Sequence, residues 1–504
     1  MRIKNILQYL EQTAERLPDK LAFSDGDGGE ELTFAELLDM SHRIGCGLIE
    51  RQLSGKRVVW LMDRHPAAIA AMLGVLYAGA VYVPLDAAMP RRRVADIVSA
   101  CGAAAVVCDE KNRTVCEELA LPMLSVKTLA QTAVDEAALA LVRARQIDTD
   151  PTYMIFTSGS TGEPKGVVGC HRAVIDYGEA LVPALSLDEE TVFGCQSPLY
   201  FDAPLKEILG TLMVGATTYL IPRTLFSFPV PLLDYLKRNN INTVCWVSSA
   251  LSTICTLGGL QACPPTTLRR VVFGSEALPM SHYRAWKTAL PEATFYQLYG
   301  PTEATGMSCV WRAERELDAE ERIPIGAPLD NTDLILLSEA GMRIAPVPHQ
   351  ESEAGEIYLR GSCLTLGYHR NEEQTNRAFI QNPLHHDYPE TVYRTGDLAR
   401  YNKWGELVFL GRCDGQIKRM GHRIETAEIE FCACTCDGVE GAVCLMADQD
   451  TLTLYYTGPA GEEEVIGALR ARLPRYYLPS RVKKMISFPR TDNGKVDRRV
   501  LLGE

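Results

Sequence analysis

The 504-residue sequence predicts an α/β fold. The expected architecture is a large N-terminal domain of layered α/β sheets with a β-rich subdomain, followed by a small, mobile α+β C-terminal domain. Three observations predict it. The length exceeds what one hydrophobic core supports. Strand-like apolar runs alternate with segments of helical period through the first two thirds of the chain. Beyond residue 333 the runs shorten and are bounded by Gly and charged turns.

Composition narrows the function classes. With 46% hydrophobic and 23% charged residues, the chain reads as an ordinary globular protein, which sets aside disordered and fibrous classes. A net charge of −13 argues against a nucleic-acid partner or an anionic membrane surface. Residues 1–20 read as an amphipathic helix carrying charges throughout, not as a secretory leader. The 16 cysteines are scattered, so they read as free, mostly buried thiols in a reducing, cytoplasmic setting.

The elements follow in order. VVWLM at 58–62 is a strand, and the uncharged stretch 67–83, flanked by Pro66 and Pro84, is a buried helix followed by a strand, without membrane insertion. AAVVCD at 104–109, TTYLIP at 217–222, TVCWVS at 243–248 and RVVFGS at 270–275 are further strands. Residues 205–212 and 232–237 have helical period. The alternation implies largely parallel sheets. DLILLSEAGM, GEIYLRGS and GELVFLGR mark the β-rich subdomain at about 333–411, and the charged stretch after Arg412 marks the terminal domain. The expected limits are 1–411 for the large domain, 412–415 for a hinge and 416–504 for the small domain.

YMIFTSGSTGEPKGV at 153–167 is the most informative stretch. An apolar strand enters Thr157, Ser158, Gly159, Ser160, Thr161 and Gly162, and Lys165 follows. Glycines let backbone N–H groups turn toward a phosphate, hydroxyls add donors, and the lysine supplies a cation. It is not a Walker A loop, because no Gly immediately precedes the Lys and no Ser or Thr follows it. The bland reading is a flexible surface loop, which the specific composition disfavours.

This stretch resembles the phosphate loop of the AMP-forming adenylating superfamily, which holds acyl-CoA synthetases, luciferases and peptide-synthetase adenylation domains. Further similar motifs occur in order: LTFAEL at 32–37, LYAGAVYVPLD at 76–86, YGPTEAT at 299–305, GEIYLRGSCLTLGY at 355–368 and YRTGDLARY at 393–401. GRCDGQIKRMGHRIETAEIE at 411–430, LPRYYLP at 473–479 and RTDNGKVDR at 490–498 complete the set.

The resemblance implies roles. Tyr299 stacks on adenine, beside a wall of Gly274, Ser275 and Glu276. Thr302 bonds the α-phosphate, Glu303 holds Mg²⁺, Asp397 accepts both ribose hydroxyls and Arg412 contacts the nucleotide near the ribose. Lys495 bridges substrate carboxylate and phosphate as ATP is attacked, two anions that a cation must bring together. Asp414 is the hinge residue about which the small domain turns, exchanging Lys495 for the Gly421 loop.

Asp202, in SPLYFDAPLKEILG, falls where amino-acid-activating relatives pair an aspartate with the substrate ammonium; the competing reading is a helix N-cap. The remaining pocket positions are Ala203, Lys206, Trp246, Val271, Phe273, Leu298, Gly306 and Met307. Trp246 and Phe273 predict a shallow pocket for a small side chain such as that of alanine, serine or glycine. An inward Lys206 favours an acidic one, whereas an outward Lys206 is an ordinary snorkelling lysine.

The resemblance thus implies ATP-dependent formation of an aminoacyl-AMP, then transfer to the phosphopantetheine thiol of a separate carrier protein. D-alanine–carrier-protein ligases and free-standing peptide-synthetase adenylation enzymes are the two similar groups. Trp246, Phe273 and Lys206 depart from the former. An acyl-CoA synthetase acting on a non-amino acid is the alternative, and such an enzyme is expected to lack Asp202. The run Cys432, Cys434, Cys436 has poor zinc spacing. His171 reads as packing.

Overall fold

The computed structural model describes residues 3–26, 28–157, 164–318, 320–413, 416–446, 451–490, 496 and 498–502. The chain is α/β and forms two compact units: residues 1–85, 102–155 and 167–413 make the first, and 86–101, 156–166 and 414–504 the second.

Two mainly parallel sheets organise the first unit. In the nine-stranded sheet the central strands Val192–Cys195, Thr243–Val247, Arg270–Gly274 and Thr294–Tyr299 run parallel, and Cys309–Arg312 pairs antiparallel at one side. The six-stranded sheet contains Arg57–Leu61, Val81–Pro84, Ala105–Cys108 and Pro151–Thr157, again parallel. Strands buried on both faces need continuous apolar runs, which VVWLM and AAVVCD supply. A five-stranded antiparallel sheet follows, built from Thr332–Leu337, Gly355–Gly361, Phe379–Gln381, Thr391–Tyr401 and Leu407–Arg412.

The uncharged stretch resolves into the helix Pro66–Tyr77 and the strand Val81–Pro84. Pro66 sits at the helix start, where its missing N–H costs nothing. The helix is buried nearly all round, including Ala68, Ile69, Leu73 and Leu76. Among the described residues, no helix is long and apolar enough to cross a membrane. The N-terminal helix is shorter than expected, Leu7–Arg16, and closes before Pro18, which disfavours helical backbone in the residue ahead of it.

In the second unit, the helix Arg91–Cys101 joins the hairpin Gln416–Arg419/His422–Glu425, the helix Thr426–Cys434 and a three-stranded sheet. That sheet is Gly441–Met446, Leu452–Thr457 and Arg481–Met485, with the middle strand parallel to the last. Arg93 donates to the Glu428 carboxylate at 2.5 Å, both side chains being buried, and lies 5.4 Å over the Tyr477 ring. Nothing in the local sequence announces this distant helix as part of the terminal unit.

His171, at the start of the helix His171–Ala184, is buried and contacts the Asn5 amide at 3.1 Å and the Ile6 N–H at 3.4 Å. Burial pulls its pKa from 6.5 down to about 3. Between those values the unfolded chain binds a proton that the folded chain refuses, so this contribution is complete above pH 6.5 and is lost as the pH falls. Denaturant titrations should show stability dropping below pH 6.5 by up to about 1.4 kcal/mol per pH unit from this group. His171→Gln should flatten the curve; parallel curves for the two proteins would refute the assignment.

Candidate active site

The strand Thr294–Tyr299 runs into the turn 300–301 and the short 3-10 segment Thr302–Ala304. Gly300 is required there: a Cβ would stand 2.3 Å from the Gly306 carbonyl oxygen and 2.6 Å from Met307 Cα. Thr305 and Gly306 continue the turn at φ of 58° and 95°. The chain thus doubles back tightly, holding Tyr299, Thr302 and Glu303 at the carboxyl end of a parallel strand, where open α/β sheets bind ligands.

Tyr299 and Asp397 are buried and joined, the phenol donating to Asp397 Oδ2 at 2.5 Å. Arg412 donates to Asp397 Oδ1 through Nη1 and to the Thr395 carbonyl at 2.9 Å through Nη2. Asp397 and Arg412 face each other across paired antiparallel strands, which fixes this ion pair by register. Burial next to the Asp397 charge pushes the Tyr299 phenol far above its ordinary pKa, so it remains a donor.

Glu303 is fully buried; its Oε1 accepts from the Tyr368 hydroxyl at 2.7 Å and its carbonyl accepts from Thr365 Oγ1 at 3.0 Å. Thr302 bonds through its side chain to Asp202. Burial raises the Asp202 pKa, opposed by the Thr302 hydrogen bond and the Lys206 charge, while Glu303 reinforces the rise. Asp202 does not cap the following helix: Leu205–Val214 begins after Pro204, which makes no side-chain cap bond. The N-cap reading therefore falls. Burial, reinforced by the Asp202 charge, raises the pKa values of Tyr82, Tyr153 and Tyr177.

Beside this cluster lies a small pocket, with about 250 Å³ of empty space when the open solvent at its mouth is included. Ala203, Lys206, Trp246, Phe273, Leu298 and Met307 line it, as do Gly274 and Ser275. Trp246 is fixed by its Nε1 bond to the Gly194 carbonyl at 2.7 Å and by edge packing on Phe226 at 5.2 Å. Lys206 is 5% exposed and donates to the Ala203 carbonyl at 2.6 Å, so the snorkelling reading also falls. Val271 is buried outside the lining, and Gly306 lies on the Asp202 side: a Cβ on it would stand 3.9 Å from Asp202 Oδ2.

Glu276 is engaged elsewhere: its Oε1 accepts from the Ser249 N–H at 2.9 Å, capping the helix Ser248–Thr256. Sequence reasoning missed Ser197, Cys245, Val247 and Val272 in the lining. Cys245 and Val247 flank Trp246 on one strand, and strict alternation would have sent them to the opposite face. Of the phosphate-loop residues, Thr157 ends the strand Pro151–Thr157 and Lys165 opens Lys165–Cys170. Ser158, Gly159, Ser160, Thr161, Gly162, Asp414 and Lys495 lie outside the described residues.

The fold and this cluster define a two-unit α/β protein with a site at the carboxyl end of a parallel sheet. The AMP-binding enzyme profile matches residues 10–369, and the chain belongs to that family. It is 32% identical to tyrocidine synthase 3 of Brevibacillus parabrevis over 98% of this chain and 8% of that protein. It is 31% identical to malpinin synthetase of Mortierella alpina over 98% of this chain and 6% of that protein. The chain thus spans between 6 and 8% of the length of these two curated relatives. Among solved structures, PA1221, an NRPS protein containing adenylation and PCP domains, superposes with a TM-score of 0.83 at 26% identity. That match covers 99% of this chain and 84% of the other. AB3403, a four-domain nonribosomal peptide synthetase bound to AMP and glycine, matches with a TM-score of 0.71 at 27% identity, over 98% of this chain and 36% of its own.

Because a Cβ at Gly300 meets backbone rather than a movable side chain, Gly300→Ala should destabilise the protein by about 1–3 kcal/mol. Urea unfolding measures this; an unchanged midpoint would mean the turn relaxes freely.

Proposed function

We propose that the protein activates a small amino acid with ATP. The amino-acid carboxylate attacks the α-phosphorus, the bond to the departing pyrophosphate breaks, and an aminoacyl-AMP forms. A carrier-protein phosphopantetheine thiol then attacks the acyl carbon and AMP leaves. The observation that carries the amino-acid part is Asp202, a carboxylate whose pKa desolvation raises, next in sequence to the pocket residue Ala203. A desolvated carboxylate is stabilised by an incoming ammonium, which supplies the missing counter-charge.

ATP binding is supported by family membership and by the joined Tyr299, Asp397 and Arg412. Two of the acceptor sites of Asp397 are taken by Tyr299 and Arg412, which leaves capacity for ribose hydroxyls. Glu303 fits Mg²⁺: it is a hard, buried oxygen donor oriented by Tyr368. Mg²⁺ commonly takes one or two protein carboxylates and completes its shell with phosphate oxygens and water, and it would offset charge on the triphosphate. We assign Lys495 to bridging carboxylate and α-phosphate, Asp414 to a hinge at 412–415 between residues 1–411 and 416–504, and the 157–162 loop with Lys165 to the phosphates.

Small pocket volume and the fixed Trp246 and Phe273 support glycine-, alanine- or serine-sized side chains of either configuration. Lys206 adds a donor suited to an oxygen-bearing side chain, aspartate included. The likeness to AB3403, bound to AMP and glycine, accords with this, and the likeness to PA1221, with its adenylation and PCP domains, accords with a carrier acceptor.

The test is pyrophosphate release trapped with hydroxylamine across L- and D-amino acids, fatty acids and aryl acids. One small or acidic amino acid should respond, and Asp202→Asn should lower kcat/KM for it by about 100-fold or more, the loss of a charged partner. Activity confined to non-amino carboxylates would replace this reading with an acyl-CoA-type ligase. Trp246→Leu should move preference toward valine- or leucine-sized substrates by about tenfold; unchanged selectivity would remove Trp246 from the specificity-setting wall.

A further inference from the structure

Arg64 lies between the strand Arg57–Leu61 and the helix Pro66–Tyr77, and it reaches the end of a strand in the other large sheet. Its Nη1 donates to three successive carbonyls: Cys195 at 3.3 Å, Gln196 at 2.6 Å and Ser197 at 3.2 Å. Cys195 closes the strand Val192–Cys195, and Ser197 lines the pocket. The chain then runs through 198–201 to Asp202 and Ala203. Gln196 Oε1 also accepts from the N–H of Val247, another lining residue, at 3.4 Å. Arg64 itself does not line the pocket.

The residues on either side of Arg64 are tied down. The Asp63 N–H donates to Asp109 Oδ2 at 2.7 Å. The His65 ring lies between two carboxylates, with Nδ1 3.0 Å from Glu30 Oε2 and Nε2 3.4 Å from Asp109 Oδ2. The Ala67 N–H donates to the same Glu30 oxygen at 3.2 Å. The arginine arm therefore leaves from a fixed base. Beyond a strand end the carbonyls lose their ladder partners, and a buried one left unpaired costs free energy. A guanidinium is always charged and presents its donors in a rigid fork, which suits it to gather several carbonyls. Arg64 Nη2 is buried without a hydrogen bond among the described residues, so the grip on this segment is through Nη1.

We propose that Arg64 is a positioning residue for the acid substrate, which draws the carbonyls of residues 195–197 to itself and so sets where Ser197 and, beyond it, Asp202 stand. It touches no substrate and acts through the backbone it holds. Removing the guanidinium leaves these carbonyls to find other donors, which moves the segment leading to Asp202. The joined Tyr299, Asp397 and Arg412 stand on other strands and keep their places. The effect therefore falls on the acid and spares the nucleotide. This inference rests on the proposed function only in taking the pocket as the seat of the acid's side chain.

The test is the KM for each substrate in pyrophosphate release by the full chain, using whichever carboxylic acid the wild type activates. Arg64→Met, which keeps an unbranched stem without donors, should raise the KM for the acid about tenfold or more and leave the KM for ATP within about twofold. Arg64→Lys keeps the charge but not the fork, and its KM for the acid should lie between those of wild type and Arg64→Met. Asp109→Asn, which loosens the base under His65 without touching the pocket, should raise the same KM by a smaller factor. Arg143→Met, which breaks an ion pair with Glu11 at 3.2 Å, should lower the melting temperature and leave both KM values alone. A merely structural Arg64 would behave as Arg143 does, and that result overturns the proposal, as do equal rises in both KM values. Should Arg64→Met not fold, Arg64→Lys decides: a wild-type KM for the acid overturns the proposal, and a raised one supports it. Activity confined to non-amino carboxylates would replace the amino-acid reading and leave this test intact. A wild type that activates no acid overturns both.

Discussion

Asp397 is 2% exposed and holds one phenol and one guanidinium, and much of the candidate site hangs on that carboxylate. Tyr299 closes the strand Thr294–Tyr299 of the nine-stranded sheet, and Arg412 closes the strand Leu407–Arg412 of the five-stranded one. An unpaired carboxylate at this depth would be costly, so the two donors fix where these sheets end relative to each other. Tyr299 is then followed at once by the tight turn carrying Thr302 and Glu303. A single buried acid so sets the position of the strand end from which the remaining polar groups project.

The other acids near the site divide by their partners. Glu303 has a directed hydrogen bond from Tyr368, which orients one oxygen. Asp202 has Thr302 and sits near Lys206, so burial remains its dominant influence. Glu207, next to Lys206 on the same helix, is fully buried, and among the described residues neither carboxylate oxygen has a hydrogen-bond partner. Burial raises its pKa, against the pull of Lys206 and Arg64. Of these groups only Lys206 lines the pocket, together with Trp246, Phe273 and Leu298.

The parallel strands were legible because buried strands are continuous apolar runs, and the helix Pro66–Tyr77 because proline marks its start. Tyr299, Thr302 and Glu303 were legible as a group because they share one turn. What escaped reading depends on partners far away in sequence. Glu276 gives no local sign that its carboxylate accepts the Ser249 N–H. Lys206 gives no local sign of pointing inward. Ser197 lies just past the strand Val192–Cys195, and Cys245 is at the centre of Thr243–Val247, where alternation would send it to the other face from Trp246. The helix Arg91–Cys101 joins the second unit through Arg93 and Glu428, and no local pattern encodes a contact between residues so far apart.

The turn after Tyr299 also explains why that region is rigid. Thr305 at φ 58° and Ser275 at φ 68° are non-glycine residues in left-handed backbone, each costing on the order of 1–3 kcal/mol unless the surroundings enforce it. The enforcement at Thr305 is visible: its Oγ1 donates to the Cys363 carbonyl at 2.7 Å, while Thr365 donates to the Glu303 carbonyl through both N–H and Oγ1 at 3.0 Å. Residues 363–365 thus strap the turn from outside, and Tyr368 reaches past them to the Glu303 carboxylate. The strain is held by the segment that orients the acid, so loosening the strap would free the turn and the Glu303 carboxylate together. Rigidity of this kind fixes an oxygen ligand before any ligand arrives, which is the condition for electrostatic stabilisation without reorganisation.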